Sequence, residues 1–161
     1  MINIPRLTAI AILALPIVLT PQEYEAKSKT LPPGVLKALS GDKKAYCDRF
    51  EDKSDCREEF QSNLLWRELE IAPSEANAVL VENRNAGACG SAGCRLSLFI
   101  QIPNGKFVQV LGTDGEVGEL NQVKILKKMT RGHYDLQKTW HDGKCVTIYA
   151  WNGSRYSALG K

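Results

Sequence analysis

Histidine is scarce in this 161-residue chain. There are two, His133 and His141, and neither stands beside a cysteine in zinc-finger spacing. The spacings Cys47-x8-Cys56 and Cys89-x4-Cys94 are loose for a zinc ribbon, so zinc is the weaker reading of the cysteines. The apolar run Leu7 to Thr20 falls short of the ~20 residues a membrane-spanning helix needs. Low-complexity tracts and repeats of solenoid or propeller period are missing, which excludes those architectures. So is a large excess of either charge. The 21 Lys+Arg against 18 Asp+Glu leave +3, far from the footprint of a dedicated nucleic-acid binder. No G-x-S-x-G elbow surrounds Ser91, so that serine lacks the setting of a nucleophile.

What is present begins with a targeting pattern. Arg6 precedes the apolar run, and Pro16 lies near its end. A cation followed by a short apolar stretch fits a secretory signal. The expected boundaries are 1–26 for the signal, ending at Tyr24-Glu25-Ala26, 27–33 for a linker, and 34–161 for one domain. No cysteine follows the run closely, so a lipid anchor is not supported. Losing residues 1–26 removes one cation (Arg6) and two anions (Glu23, Glu25), which turns +3 into +4. A periplasmic or secreted location gives the five cysteines a meaning, because disulfides persist in oxidising compartments. Locality pairs Cys47 with Cys56 and Cys89 with Cys94. Other connectivities stay open, and Cys145 is left over.

Along the chain, short helical patterns come first. Pro33 opens one with Val35, Leu36 and Leu39 as its stripe, ended by Gly41. Asp42 is the expected N-cap of a second over 43–50, and Ser54 or Asp55 caps a third over 55–62. The period then changes to two. Strand patterns cover 65–71, 78–82, 96–102, 107–111, 123–129, 134–140 and 144–151, with a short edge at 155–158. Asn104-Gly105, Asp114-Gly115 and Asp142-Gly143 mark turns. Helices followed by a run of strands read as α+β, with helices packed on a meandering antiparallel sheet of about seven strands.

The Cys89-Gly90-Ser91-Ala92-Gly93-Cys94 loop reads structurally as a tight turn closed by its disulfide. Functionally, Gly90, Ser91 and Gly93 are candidates for recognition, since successive backbone N–H groups can form an anion nest. His133, His141 and Cys145, with Asp135 and Asp142 nearby, would have to converge to make a catalytic set. Both histidines read instead as exposed turn residues, and Cys145 as a small buried hydrophobe within a strand. Glu68 and Glu70 share a strand face and read as solvated acids. Lys124, Lys127, Lys128 and Arg131 read as a charged strand face that discourages edge pairing, or as a patch for an anionic surface. Around Asn152-Gly153, the residues Asn152, Arg155 and Tyr156 are candidates for an exposed contact turn on the same rim as the cysteine loop.

The order Cys89-Gly90-x-x-Gly93-Cys94, then Tyr134-Asp135-Leu136, then Trp151-Asn152-Gly153-x-x-Tyr156 resembles a group of small, exported, uncharacterised bacterial proteins. Those carry a C-G-x-G-G-C loop, a later D-L pair and a closing aromatic-N/D-G-x-x-Y turn. Ala92 stands where the group has the first glycine of its Gly-Gly pair. The resemblance spans roughly residues 80–157 and implies a periplasmic β-rich domain, with no activity attached. Gly153-Ser154-Arg155-Tyr156 also looks like the S-G-x-x-Y loop of periplasmic lysozyme inhibitors.

The expectation is therefore an exported, non-enzymatic binding or envelope-associated protein without a cofactor. Its partner would be a protein or an envelope polymer, with neither nucleic acid nor a membrane span involved once the signal is removed. The alternative is an inhibitor or immunity-type protein acting on a cell-wall hydrolase, and a small hydrolase is the remote third. Non-reducing intact-mass spectrometry of the exported protein should show a chain beginning after Ala26, two disulfides and a single alkylatable thiol. A mass that includes residues 1–26 would remove the secretory reading.

Overall fold

A computed structural model of the chain describes residues 30–50, 55–73, 78–113, 115–140 and 143–160. The expected signal, residues 27–29 of the linker, Ser54, His141 and Asp142 lie outside the described residues. Among the described residues, three short helices come first: α1 (Pro33–Ala38), α2 (Ser40–Cys47) and α3 (Cys56–Ser62). Ten strands follow within them. They are β1 (Leu64–Leu69), β2 (Ala78–Asn83), β3 (Cys89–Gly90), β4 (Gly93–Gln101), β5 (Phe107–Leu111), β6 (Val117–Gly118), β7 (Val123–Thr130), β8 (His133–Thr139), β9 (Val146–Trp151) and β10 (Tyr156–Ala158). All pairings are antiparallel.

The α+β class holds, but the single sheet of about seven strands does not. The strands form two sheets, one of six strands built around β4 and one of four in the order β10-β9-β8-β7. Two of the additional strands, β3 and β6, are only two residues long, too short to show a period. The break between sheets falls at a 3-10 turn, Leu120–Gln122, closed by a reciprocal Glu119–Gln122 capping box.

Burial explains why a second sheet is needed. All six residues of β2 are buried, and so is Leu96 to Ile100 in β4. Val79, Val81 and Phe99 point to one side, where they pack with Val35, Leu39, Tyr46 and Phe60 of the helices. Leu80, Leu96, Leu98 and Ile100 point to the other, where they meet Val123, Leu136, Tyr149 and Trp151 of the four-stranded sheet. A strand apolar on both faces must be covered on both. The molecule is thus three layers: helices, six-stranded sheet, four-stranded sheet.

Polar ties join the two sheets. Arg67 of β1 donates to the carbonyl of Val123, and the buried Lys138 of β8 donates to the carbonyl of Val117. Burial holds the Lys138 ammonium below the usual lysine range, with Glu116 opposing that shift. The Lys138 Nζ also lies 3.9 Å from the centre of the Trp140 ring. Buried Glu82 of β2 accepts from the Leu120 backbone at 2.9 Å and pairs with Arg84 at 2.5 Å.

The helix boundaries shift from expectation. Gly41 does not end a helix but lies inside α2, which starts at Ser40 rather than 43. Asp42 is not the N-cap, which falls on Leu39; it lies in the first turn of α2, where its carboxylate is engaged by Arg95 and Asn83. Asp55 occupies the N-cap position of α3 without a side-chain cap bond. The Asn104-Gly105 hairpin forms between β4 and β5, and 155–158 supplies the edge strand β10.

Gly112 leaves β5 with φ +96°, and an added Cβ would stand 2.2 Å from the carbonyl oxygen of Leu96. The strained dihedral and the backbone clash add up. Gly112→Ala is expected to cost about 2–4 kcal/mol by urea denaturation. A loss under about 0.5 kcal/mol would mean that this β5 exit is not rigid.

Candidate functional site

The cysteine loop is a hairpin. Cys89 faces Cys94 and Gly90 faces Gly93, leaving Ser91-Ala92 as a two-residue tip. Both expected disulfides, Cys47–Cys56 and Cys89–Cys94, are formed. Gly93 has φ +110°, and a Cβ there would meet Gly118 Cα at 2.7 Å, so β6 can lie against the hairpin only because that residue is glycine. Gly90, Ser91 and Ala92 are exposed.

Behind the hairpin lies a recess between α2, α3 and the β2–β3 connection, with a volume of about 70 Å³. Its wall is a continuous polar chain. Arg95 Nη1 donates to Asp42 Oδ1 at 2.9 Å, and Asn83 Nδ2 donates to Asp42 Oδ2 at 3.5 Å. Asn85 Nδ2 donates to Asn83 Oδ1 at 2.9 Å and to the Phe60 carbonyl at 3.0 Å. Two acceptors for that nitrogen fix the orientation of the Asn85 amide. Its oxygen is then left buried without a hydrogen bond. Arg49 crosses the rim and donates to the Ala86 carbonyl at 2.6 Å. Tyr46 lines the apolar side, and burial together with a hydrogen bond to Glu59 pushes its hydroxyl up from the usual tyrosine range.

A second recess of about 200 Å³ lies at the outer margin of β1, where Leu65 and Trp66 meet Leu120, Asn121 and the Glu82–Arg84 pair. Metabolite pockets usually run to about 300–1,000 Å³. The hairpin recess is therefore sized for one side chain or end group of a larger partner.

The Asn152 turn differs from expectation. Asn152 Oδ1 accepts from the backbone of Ser154 and Arg155, each at 3.0 Å, and its Nδ2 donates to Ser157 Oγ at 3.0 Å. Its side chain therefore holds the turn. Arg155 is exposed and reaches Thr113 Oγ1 at 3.3 Å. Tyr156 is not an exposed contact residue. It is 3% exposed, its ring meets Trp151 edge-on at 5.4 Å, and its hydroxyl donates to the Tyr134 carbonyl at 2.9 Å. No hydrogen bond or ion pair among the described residues joins this turn to the hairpin. Arg155 leads to Thr113 beyond β5, whereas the hairpin abuts β6.

His133 and Cys145 exchange their expected environments. His133 is buried, with its ring stacked on Trp151 at 4.2 Å, because the aromatic cluster at the end of the core recruits it. Cys145 is exposed and outside both disulfides, because β9 starts only at Val146. They lie at opposite ends of β8, whose seven residues span roughly 20 Å. The structure thus does not bring them together, and Asp135 is buried beneath Lys128, 3.6 Å from its Nζ. Among the described residues no group of three or more His, Cys, Asp or Glu side chains converges as metal ligands do. Glu68 and Glu70 are exposed, and the lysines stand on the edge strand β7.

The sequence marked Asp42 only as a helix cap and did not single out Asn83, Asn85 or Arg95. The available signal was Asn83-Arg84-Asn85, an abrupt polar group straight after an apolar strand. Asn85→Ala should cost about 1–2 kcal/mol in urea, since it leaves the Phe60 carbonyl without its side-chain donor while the Asn85 backbone N–H still reaches Asn83 Oδ1, whereas Ser91→Ala should stay within about 0.5 kcal/mol. Equal effects would mean that the polar chain does not organise the recess. Neither a protein-family model, nor a curated protein, nor a solved structure matches the chain.

Proposed function

We propose that this is an exported, non-enzymatic binding protein. It engages a protein or an envelope polymer at the surface made by the Cys89–Cys94 hairpin and the recess behind it. The observation that carries this reading is Asn85, a buried and oriented acceptor without a donor at the recess wall. Buried polar groups are almost always paired, and an unpaired one costs about 1–3 kcal/mol. A partner that brings a donor to the wall recovers that cost. The arginines Arg49 and Arg95 at the same rim supply the complementary donors. The two disulfides suit a protein that works in an oxidising compartment.

One feature favours the second reading, an inhibitor of a cell-wall hydrolase. The hairpin tip is narrow, exposed and closed one residue from its turn by a disulfide, so inserting it into a cleft costs little ordering entropy.

Ala45 is exposed on α2 and lines the recess, so Ala45→Leu fills it without touching the polar chain. Pull-down from envelope extract should capture a partner with the wild type and about tenfold less with Ala45→Leu. Equal capture by both proteins would sink the assignment to this surface. For the inhibitor reading, the purified protein should slow lysozyme or amidase, and unchanged rates dismiss it.

A further inference from the structure

The hairpin recess brings an acceptor, donors and an apolar wall into one small space. The acceptor is Asn85, whose side chain is 2% exposed. Its amide hydrogens are spent on the Phe60 carbonyl and Asn83 Oδ1, so only Oδ1 is left to offer. The donors are arginines. Arg49 gives one N–H to the Ala86 carbonyl and Arg95 gives one to Asp42, and each guanidinium has donors to spare. Arg49 lies against Gly87, where an added Cβ would stand 2.5 Å from Nη1, so the missing side chain is what keeps this guanidinium at the rim. The apolar wall is made by Tyr46 and Phe60, whose ring centres are 5.8 Å apart. Beside them Phe50 sits 5.1 Å from the Tyr46 ring and is 37% exposed.

These surfaces sort the simple end groups. A carboxylate answers the arginines but brings no donor to Asn85. An ammonium answers Asn85 but meets like charge at Arg49 and Arg95. A hydroxyl is too short to serve Asn85 and an arginine while also covering the Tyr46 side. A primary amide has the donor and the acceptor but no apolar end. A secondary acetamide has all three: an N–H for Asn85 Oδ1, a carbonyl for an arginine and a methyl for the apolar wall. A water takes about 30 Å³ in the liquid, so a recess of about 70 Å³ admits a group of a few non-hydrogen atoms, which is the size of an acetamide.

We infer that the recess binds the acetamido group of an N-acetylated hexosamine in an envelope polymer. This rests on the proposed function of the same surface and decides between its two classes of partner. An acetylated lysine carries the same group on a long apolar stem, for which the recess has no room. A pyranose keeps its ring outside, where its C–H groups meet the exposed Phe50 ring. A sugar with a hydroxyl in place of the acetamide cannot fill the recess, and it forfeits the methyl contact.

Nuclear magnetic resonance titration of the isotope-labelled exported protein tests this. The probes are fully acetylated chitotriose and cellotriose, its hydroxyl counterpart. The acetylated trimer should bind with a Kd on the order of 1 mM and about tenfold or more tighter than cellotriose. It should shift the Asn85 side-chain amide and the Arg49 Nε–H. Arg49→Met and Phe50→Ala change exposed positions outside the polar chain, so circular dichroism should report an unchanged fold while binding weakens about threefold to tenfold. Equal binding of the two trimers overturns the inference. So does binding that leaves the Asn85 amide unshifted or persists in Ala45→Leu. An acetyl-lysine peptide that binds more tightly than the acetylated trimer overturns the amino-sugar source. If Ala45→Leu loses the partner from envelope extract while the acetylated trimer fails to bind, the inference falls and the hairpin surface stands. Equal capture by wild type and Ala45→Leu removes the surface and the inference with it.

Discussion

Burial of β2 and β4 on both faces is the constraint from which the rest of the molecule follows. Phe99, Leu80, Leu98 and Val79 are fully buried, and each large apolar side chain gains about 1.5–3 kcal/mol by leaving water. That gain requires two covers. The helices supply one through Val35, Tyr46 and Phe60, and the Cys47–Cys56 disulfide clips α2 to α3 so that the cover stays in place. The second sheet supplies the other through Leu136, Tyr149 and Trp151.

Polar groups inside such a stack have to be answered where they lie. Glu82 finds a backbone N–H and an arginine, Lys138 finds a carbonyl and an indole face, and Ser97 accepts from Gln109. These ties cross between strands or between sheets, so they also set how the layers are positioned relative to one another. The hairpin recess forms where this order gives out. At its far end β2 passes from Val81 to Glu82 and Asn83, and the chain has to leave the apolar layer. Asn83 and Asn85 line the way out, and Cys89–Cys94 pins the hairpin that follows.

Much of the strand layout was legible because it rests on period and turn chemistry. Phe107–Leu111 matches its expected bounds, and the Asn-Gly hairpin before it forms as its turn residues require. Both disulfides are the pairs that locality favoured, although the sequence left other connectivities open. The second sheet was not legible, since a strand buried on both faces and one buried on a single face under a helix give the same apolar run. His133, Tyr156 and Cys145 were misplaced for a shared reason. Each lies at or just outside the end of a strand, where exposure depends on what another part of the chain brings up. Trp151 covers His133 and Tyr156, while Cys145, just before β9, is exposed.

The sequence by itself determined the antiparallel strands, the short helices ahead of them and the glycine-dependent turns, all of which depend on neighbours close in the chain, and it favoured the local cysteine pairs. Tertiary structure alone decided the three-layer stack and the recess. Asp42 meets Arg95 across 53 positions, and Arg67 meets Val123 across 56. No local pattern encodes such meetings. They exist because an apolar sheet has two faces, and covering both draws distant polar residues together at its margins.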